Sequence, residues 1–368
     1  MKAAPDLKVA IVADWLYGGG AERVVYELHK MFPDAPIYTS YCSAEWREKL
    51  DGKVITGWLQ PLGRIRKFLP VLRIWWFTHL KLKDFDLVIS SSGNGEAKGI
   101  KVPSGTTHIC YCHTPTHFYW RHYDKYYKNP GFGFFNPLAR FGLRTLVGPL
   151  KFWDFKAAQG PTYFIANSSY IRDEIAKYYK RDSVVIHPPV DVERFSNSES
   201  QTSDSRGGFV TTGRQVPYKR LDIIVQACNR LKLPLKVVGK GPEHEKLVEI
   251  AGPTIEFLTN VSDTEMPKQL AGAEAFLFAA FEDFGVAPVE ALAAGTPVIA
   301  YKAGGVLDYV QDGQNGLFFE AQTKDNLIAA LLKFQKTSFD HHLVTASAQE
   351  FSVTTFRDKM KTFIEKHT

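Results

Sequence analysis

Cysteine is scarce in this sequence, and its few copies lack the repeated spacing of a metal site. The four are Cys42, Cys110, Cys112 and Cys228 in 368 residues, whereas structural zinc sites use cysteine or histidine pairs a few residues apart. Cys110 and Cys112 flank Tyr111 in a strand-like run, so they should share one face as small core residues. Free buried thiols are typical of a reducing compartment, and we expect a cytoplasmic protein.

Long apolar runs, internal repeats and low-complexity segments are also missing. No run of eighteen apolar residues occurs, and the chain enters a strand within a few residues without a signal peptide, so no spanning segment is expected. The composition, 45% apolar and 23% charged, is that of a globular protein and excludes a disordered or fibrous one. The length favours two domains. The net charge of +6 favours an anionic partner, such as a nucleotide, a membrane or a nucleic acid.

The most informative stretch carries two glutamates eight residues apart, Glu282 and Glu290. A strand-like run over 275–280 precedes Glu282, and a helix should begin near Pro288, because proline is tolerated in a first helical turn. Gly285 allows close approach of a ligand, and the free N–H groups of a helix start attract phosphate. Glu290 is expected in the first turn. Two carboxylates beside an anion pocket suit a nucleotide sugar.

A glycine run near the N-terminus forms a second predicted anion site. Residues 8–14 should form a buried strand, and Gly18, Gly19 and Gly20 then open a helix. A dinucleotide fingerprint would need glycine at position 23, where Arg23 stands, which disfavours an NAD enzyme. A glycine turn before a helix still binds anions.

Cations and a histidine follow strand-like runs elsewhere. Gly213 and Arg214 follow one such run, and Lys219 lies close to the next helix start. Arginine supplies a fork and lysine a point charge, so the pair predicts a phosphate clamp. His113 directly follows the predicted strand 107–112, at the sheet edge where α/β domains keep their sites.

A literal D-x-D occurs at 84–86, the motif with which glycosyltransferases of another fold hold a cation. Because the residues from Leu87 onward continue directly into a strand, Asp86 is expected to be the first residue of that strand. We therefore predict no metal site, since Mg²⁺ and Ca²⁺ need several converging oxygen ligands.

The segment 64–83 carries six cations and no acid, interleaved with aromatic and aliphatic residues. The cations are Arg64, Arg66, Lys67, Arg73, Lys81 and Lys83. This pattern favours contact with an anionic membrane surface, while a buried helix whose cationic ends reach water is the alternative. No nucleic-acid-binding module is recognisable around it.

The stretch 123–150 is rich in Tyr, Phe, Gly and Pro. Such a composition favours an irregular, partly mobile region at a site edge. Residues 153–159, which follow it, are predicted to be helical.

Taken together, these motifs resemble glycosyltransferase family 4, the retaining GT-B enzymes. The resemblance rests on E-x7-E with its F-G, on A-x-G-x-P-V-I-A, and on the G-G-x-E, C-H-T-P and G-R-x-x-x-x-K patterns. It implies an α/β protein with two Rossmann-like doubly wound domains facing across a cleft. The expected domains are 1–190 on the acceptor side, with the terminal helix 351–368 packed back on it, and 191–350 for the nucleotide sugar.

The resemblance also implies a role for each matching residue. Glu282 would hold the donor-sugar hydroxyls and Glu290 the ribose hydroxyls. Arg214 and Lys219 would stabilise the leaving diphosphate, and His113 would face the reacting sugar. Further donor contacts are expected at Gly20, Gly239, Val261, Asp283, Phe284, Gly285 and Val286.

The implied reaction is retaining transfer of a hexose to a hydroxyl, without metal or other cofactor. The run 118–121 resembles the mannosyltransferase branch, so GDP-mannose is favoured as donor and a UDP-sugar is possible. The acceptor would be a glycan or lipid-linked glycan in cell-surface polysaccharide or glycolipid synthesis, at the inner face of the cell membrane. The alternatives are a silent nucleotide-sugar-binding protein and a GT-B epimerase or phosphorylase; no nucleic-acid partner is expected.

Overall fold

The computed structural model describes residues 7–63, 70–121, 123–128, 133–197 and 206–368. It divides into two compact units. Unit 1 comprises Met1–Pro188 together with Arg357–Thr368, and unit 2 comprises Pro189–Phe356. The predicted domains had their boundary after residue 190 and the returning helix at 351–368.

Unit 1 contains a seven-stranded parallel sheet in the order β3-β2-β1-β4-β5-β6-β7. β1 and β4 are buried along their whole length, as expected for parallel strands covered on both faces. The strands are β1 Val9–Ala13, β2 Ile37–Thr39, β3 Val54–Ile55, β4 Leu87–Ser92, β5 Thr107–Cys112, β6 Tyr163–Ala166 and β7 Val184–Val185.

The helices of unit 1 connect these strands in the right order for a doubly wound sheet. They are α1 Gly20–Met31, α2 Ala44–Lys49, α3 Pro70–Thr78, α4 Tyr123–Lys128, α5 Asn136–Ala157 and α6 Ser169–Tyr179. α4 and α5 correct the prediction for 123–150, which is largely helical rather than irregular. α5 runs through two glycines and Pro149, residues that individually disfavour a helix interior.

Unit 2 contains a six-stranded parallel sheet in the order β10-β9-β8-β11-β12-β13. Its strands are β8 Phe209–Thr212, β9 Leu235–Val238, β10 Ile255–Leu258, β11 Ala275–Phe278, β12 Val298–Tyr301 and β13 Gly316–Phe319. Its helices are α7 Val192–Ser196, α8 Leu221–Leu231, α9 His244–Glu249, α10 Met266–Ala271, α11 Val286–Ala293, α12 Lys324–Phe334 and α13 His341–Ser347.

The last helix, α14 (Val353–His367), begins in unit 2 and ends in unit 1. Within unit 1, Arg357 Nε donates to Glu27 Oε2 of α1 at 2.7 Å, and the Phe363 ring lies edge-on to Tyr163 of β6. These contacts attach the end of the chain to the first sheet.

Strand order reverses between β1 and β4 in unit 1 and between β8 and β11 in unit 2. In open α/β sheets, ligands bind beyond the carboxyl ends of the strands at such a point. The predicted α/β class with two Rossmann-like sheets is confirmed. Among the residues with described structure, none of the helices is both long and apolar enough to cross a bilayer.

Candidate active site

In unit 1, an aspartate fixes the loop at the point where strand order reverses. Asp14 follows β1 directly, and its carboxylate accepts the N–H groups of Gly93, Asn94 and Ala97 at 2.8, 2.6 and 2.6 Å. The chain beyond β4 is thereby tied to the end of β1. Sequence analysis assigned Asp14 no role; the available indication was an acid at the carboxyl end of a buried strand.

The glycine loop before α1 is held by Glu22, the acid of the G-G-x-E pattern. Its Oε1 accepts the N–H groups of Tyr17 at 3.1 Å and Gly18 at 3.0 Å, and the side chain is buried. Gly18 has φ +137°, a conformation that favours glycine. The two amides that Glu22 binds are not available to a phosphate, so anion binding at Gly20 would use amides further along α1.

His113 is uncharged at neutral pH in this arrangement. Its Nε2 lies 2.8 Å from Ser91 Oγ, and removal from bulk water lowers its pKa to about 4. Asn167 donates to the His113 carbonyl at 3.0 Å, which fixes the backbone just past β5. Gly20 and His113, both predicted site residues, line one cavity of about 220 Å³ together with Asp14, Glu22 and Ser91.

In unit 2, two residues with separate predicted roles contact each other. Lys219 Nζ forms an ion pair with Glu282 Oε1, and both side chains are mostly buried. A Cβ added at Gly213 would lie 3.5 Å from Lys219 Nζ, and one added at Gly285 would lie 3.4 Å from Glu282 Oε2. Loops that follow β8 and β11 therefore bring together the predicted Lys219, Glu282 and Gly285, with Gly213 beside them.

Gly304 and Gly305, in the turn after β12, allow the loop that carries Glu282 to lie close to this turn. Glu282 and Gly304 form an isolated parallel bridge, and the N–H of Gly305 donates to the Glu282 carbonyl at 2.9 Å. A Cβ at Gly304 would lie only 2.3 Å from that carbonyl oxygen. The glycine pair thus allows the backbone of Glu282 to be fixed by the turn after β12.

The helix after this loop starts earlier than predicted. α11 begins at Val286, directly after Gly285 with φ +86°, so Pro288 is its third residue. Glu290 is the fifth residue and lies in the second turn, so the predicted first-turn position is wrong. Val286 and Glu290, four residues apart, share one helix face, and Glu290 is buried.

Phe284 is a core residue. Its ring packs edge-on against Tyr309, and its carbonyl accepts the Tyr309 hydroxyl at 2.9 Å. The side chain and carbonyl are therefore engaged inside unit 2, and the predicted donor contact of Phe284 stays a prediction. Asp283 precedes it in the same loop.

The turn after β9 is anchored by a buried glutamine that sequence analysis missed. Gln215 Nε2 donates to the Gly239 carbonyl at 2.7 Å, and its Oε1 lies 2.8 Å from His244 Nδ1. A Cβ at Gly239 would lie 2.4 Å from the Gly213 carbonyl, so the turns after β8 and β9 are in direct contact. Gln215 occupies an unspecified position of G-R-x-x-x-x-K, and the pattern gave no reason to select it.

Two other predicted donor residues lie at strand ends of the same sheet. Arg214 follows Gly213, and its side chain is exposed. Val261 follows β10 and is partly buried against the core of unit 2.

The D-x-D motif has structural partners. Asp86 lies just before β4, which begins at Leu87 rather than at Asp86, and its Oδ2 accepts the N–H of Lys8 at 3.0 Å. Asp84 has φ +66°, a turn conformation. In the described part of the chain, no group of three or more His, Cys, Asp or Glu side chains is placed to hold a metal ion.

The predicted membrane segment 64–83 is only partly described. Arg64, Arg66 and Lys67 lie outside the described residues. The predicted surface role of Arg73 is wrong: its side chain is 3% exposed, donates to Glu96 Oε1 at 2.6 Å and lies over the Trp15 ring. The large side chains that α3 exposes are apolar instead, namely Val71, Leu72 and Trp75.

Two family models match successive parts of the chain. Residues 18–194 match the model described as Glycosyltransferase Family 4, and residues 193–349 match the one described as Glycosyl transferases group 1. Together they cover residues 18–349, which form most of both units.

Curated relatives are distant and match part of their length. A D-inositol 3-phosphate glycosyltransferase of Nocardioides sp. is 27% identical over 222 residues, which cover 50% of this chain and 48% of the relative. A GDP-mannose-dependent alpha-(1-6)-phosphatidylinositol monomannoside mannosyltransferase of Mycolicibacterium smegmatis is 26% identical over 192 residues, 45% of this chain and 50% of the relative. The chain thus spans about half the length of the curated relatives it matches.

Solved structures extend the similarity to the whole fold. Anabaena Alr3699/HepE, in complex with UDP and glucose, aligns with a TM-score of 0.69 at 19% identity, covering 98% of this chain and 99% of that one. The lipopolysaccharide outer core galactosyltransferase WaaB, in its apo form, aligns with a TM-score of 0.70 at 17% identity, covering 98% and 100%. At these identities the alignments show a shared GT-B fold.

Proposed function

Because the chain belongs to glycosyltransferase family 4, we propose that it transfers a sugar from a nucleoside-diphosphate donor to an acceptor hydroxyl. The observation that carries this proposal is the contact between Lys219 and Glu282 beyond β8 and β11. A sugar diphosphate offers its phosphate to an ammonium and its hydroxyls to a carboxylate. In this proposal the ion pair would lie at the junction between sugar and phosphate.

Arg214 and Lys219 supply the positive charge that the reaction needs. Negative charge grows on the diphosphate as the bond to the sugar breaks, and fixed cations aimed at it lower the barrier. The guanidinium offers a planar fork and the ammonium a point charge. We assign to this pair the work that a divalent cation does elsewhere, so transfer is expected to persist in EDTA; loss of activity, restored by a divalent ion, would contradict this assignment.

For the chemical step we propose front-face attack with retention of anomeric configuration. The acceptor oxygen forms a bond to the anomeric carbon while the bond from that carbon to the phosphate oxygen breaks. The departing phosphate takes the acceptor proton. His113, neutral because its pKa is lowered to about 4, would serve as a hydrogen-bond partner of the sugar rather than as a cation, and Glu290 would hold the ribose.

GDP-mannose is the proposed donor and a lipid-linked glycan the proposed acceptor, in cell-surface polysaccharide or glycolipid synthesis at the inner membrane face. The resemblance of residues 118–121 to mannosyltransferases and the mycobacterial relative, named for GDP-mannose and a phosphatidylinositol mannoside, support this choice. A UDP-sugar is the alternative, because the HepE structures are described with UDP and UDP-glucose.

The test is thermal unfolding with GDP, GDP-mannose, UDP and UDP-glucose, each in EDTA, followed by release of the nucleoside diphosphate after a lipid-linked glycan acceptor is added. A ligand at one hundred times its Kd adds about 2.7 kcal/mol to the free energy of unfolding. GDP-mannose is expected to stabilise most and to be consumed, with an α-mannoside product by NMR. Stabilisation without turnover would favour the silent binding protein, and no response to any nucleotide would overturn the proposal.

A further inference from the structure

Helix α5 of unit 1 exposes an unusual number of large apolar side chains. Phe141 and Phe152 are 66% and 65% exposed, Leu138 68%, and Phe134, just before the helix, 92%. Leu146 is 47% exposed. Isolated exposed apolar residues are ordinary on a protein surface, whereas a contiguous group marks an interaction site.

The exposed side chains fall on one side of the helix. At about 100° per residue, Phe141, Phe152, Leu138 and Leu146 lie within an arc of roughly 140°. The arc also contains Gly142, Thr145 and Pro149 and, near the carboxyl end of the helix, Trp153 and Lys156. The opposite side carries the partly buried Leu143, Val147 and Leu150 and the fully buried Asp154. Up to Phe152, α5 therefore has one face toward unit 1 and one exposed apolar face; from Trp153 onward the same arc contacts unit 1, because the Trp153 ring lies beside Lys98.

The charges of α5 are almost all positive on the outside. Arg140, Arg144, Lys151 and Lys156 are its cations, and Asp154 is its one acid. Asp154 is fully buried and is neutralised by Lys98 at 2.5 Å. Arg140 donates to the carbonyls of Tyr127 and Lys128, and Lys151 lies over the rings of Trp120 and Tyr123. Arg144 and Lys156 are the exposed cations closest to the apolar arc, and α5 exposes no acid.

The same aspartate fixes the helix to the body of unit 1. Its Oδ1 accepts from Thr116 Oγ1 and its Oδ2 from Trp120 Nε1, both at 2.7 Å, in addition to the bond from Lys98. These partners belong to the loops after β4 and β5, which also carry His113. The carboxyl-terminal part of α5 is therefore a fixed support, and the exposed face lies mainly in the part before it.

We propose that α5 lies in the headgroup region of an anionic lipid bilayer, with its apolar arc toward the acyl chains and its cations on the lipid phosphates. An amphipathic helix with aromatic and aliphatic residues on one face and lysine and arginine on the other binds such surfaces in this way. The cations fit an anionic surface and would oppose one another at a contact between two copies of this face. The proposal does not depend on the donor site of unit 2.

The experiment is flotation of the full-length protein with vesicles of phosphatidylcholine alone or with phosphatidylglycerol added. The wild type is expected to float with the anionic vesicles. The double variant Phe141→Ser with Phe152→Ser should bind at least about tenfold more weakly, because two large apolar side chains no longer enter the lipid. Leu332→Ser with Leu343→Ser, at exposed apolar positions of unit 2, is the matched control and should bind as the wild type does.

Three kinds of result would contradict the proposal that α5 binds an anionic bilayer. Absence of wild-type binding, or equal binding by the phenylalanine variant, would overturn it. If Trp75→Ser abolishes binding while the α5 variant keeps it, the membrane contact belongs to α3. A change from dimer to monomer in the α5 variant by ultracentrifugation would make this face a protein interface. Unchanged nucleotide-induced stabilisation of the α5 variant separates these results from the test of donor binding.

Discussion

The two units treat their apolar residues differently. Around the donor loop of unit 2, helix α11 buries Val289, Leu292 and Ala293 completely, whereas α5 of unit 1 exposes side chains as large as phenylalanine. Complete burial positions a loop for a small ligand, because a packed core does not shift easily. An exposed apolar face is suited to contact a partner that is larger than a small ligand. The difference is consistent with the two proposals, that unit 2 binds the donor and that α5 of unit 1 contacts a lipid surface.

The ion pairs show the same contrast. In unit 1, the Lys98–Asp154 ion pair and the hydrogen bond from Arg73 to Glu96 are buried and hold helices and loops in place. In unit 2, Lys219–Glu282 lies at a strand-end loop and stays partly exposed. Removing one partner of a buried pair leaves an uncompensated charge in the interior, whereas a pair at a site can exchange its partner for a ligand. Mutation of a buried pair in unit 1 should mainly lower stability, whereas mutation of the pair in unit 2 should mainly lower activity.

The largest effect on stability is expected for Asp154→Ala. It strands Lys98 in the interior and removes the acceptor of Thr116 and Trp120, so we expect a loss of roughly 3–5 kcal/mol in the free energy of unfolding. Tryptophan fluorescence reports on unit 1 alone, because all seven tryptophans lie between residues 15 and 153. Denaturant unfolding with this signal measures the loss. Arg172→Ala, which breaks the exposed pair with Asp173 in unit 1, is the control; an unchanged midpoint for Asp154→Ala would contradict a structural role for the buried pair.

Replacing Lys219 or Glu282 should have the opposite profile. Lys219→Ala and Glu282→Gln are expected to lower kcat about 10²–10³-fold, the usual loss for one group that stabilises the transition state. Their stability should fall by less than that of Asp154→Ala, because the side chains of Lys219 and Glu282 keep 14% and 19% of their exposure whereas those of Lys98 and Asp154 keep none. Steady-state transfer and thermal unfolding measure the two quantities on the same samples. Full activity in both variants would remove this pair from the site, and a large stability loss would make it structural, like Lys98–Asp154.

Sequence patterns predicted unit 2 better than unit 1 for a physical reason. In unit 2, the turns after β8 and β11 require glycine at fixed positions and charged residues beside them, and both requirements are visible in the sequence. The part of α5 before residue 153 was not predicted, because Gly142, Gly148 and Pro149 each disfavour a helix by about 1 to 3 kcal/mol. Partly buried contacts on its inner face and the Asp154 network hold it instead, and such tertiary contacts leave no local pattern.

The burial of individual charged residues also could not be predicted from the sequence. Arg73 was assigned to the surface together with the other cations of 64–83, yet it pairs with Glu96 inside unit 1. The contact of Lys219 with Glu282 joins two motifs that each predict a ligand, but their spacing cannot show that they meet. Long-range pairing depends on the strand order, which is known only once the sheet is formed.

The smallest predicted effect concerns the acid sensitivity of unit 1, where two histidines have lowered pKa values. Burial lowers the pKa of His108 to about 3 and that of His113 to about 4, against about 6.5 in the unfolded chain. Below pH 6.5 the unfolded state therefore binds more protons. The stability that each histidine contributes is complete above pH 6.5 and is lost as pH falls toward its folded value, by about 1.4 kcal/mol per pH unit.

His108→Gln isolates this contribution, since glutamine can still bond to Ser90, whose Oγ lies 2.8 Å from His108 Nε2. Between pH 6 and 5, the free energy of unfolding of the variant should fall by about 1.4 kcal/mol less than that of the wild type. Burial raises the pKa of Glu96 to about 8, so this group makes stability fall as pH rises from about 4.5 to 8. Glu96 contributes equally to the wild type and to His108→Gln. The test therefore uses only the difference between the two proteins in how steeply the free energy of unfolding changes with pH. The exposed His342→Gln in unit 2 should leave the slope unchanged; parallel slopes for His108→Gln and the wild type would mean that His108 does not remain neutral in the folded state.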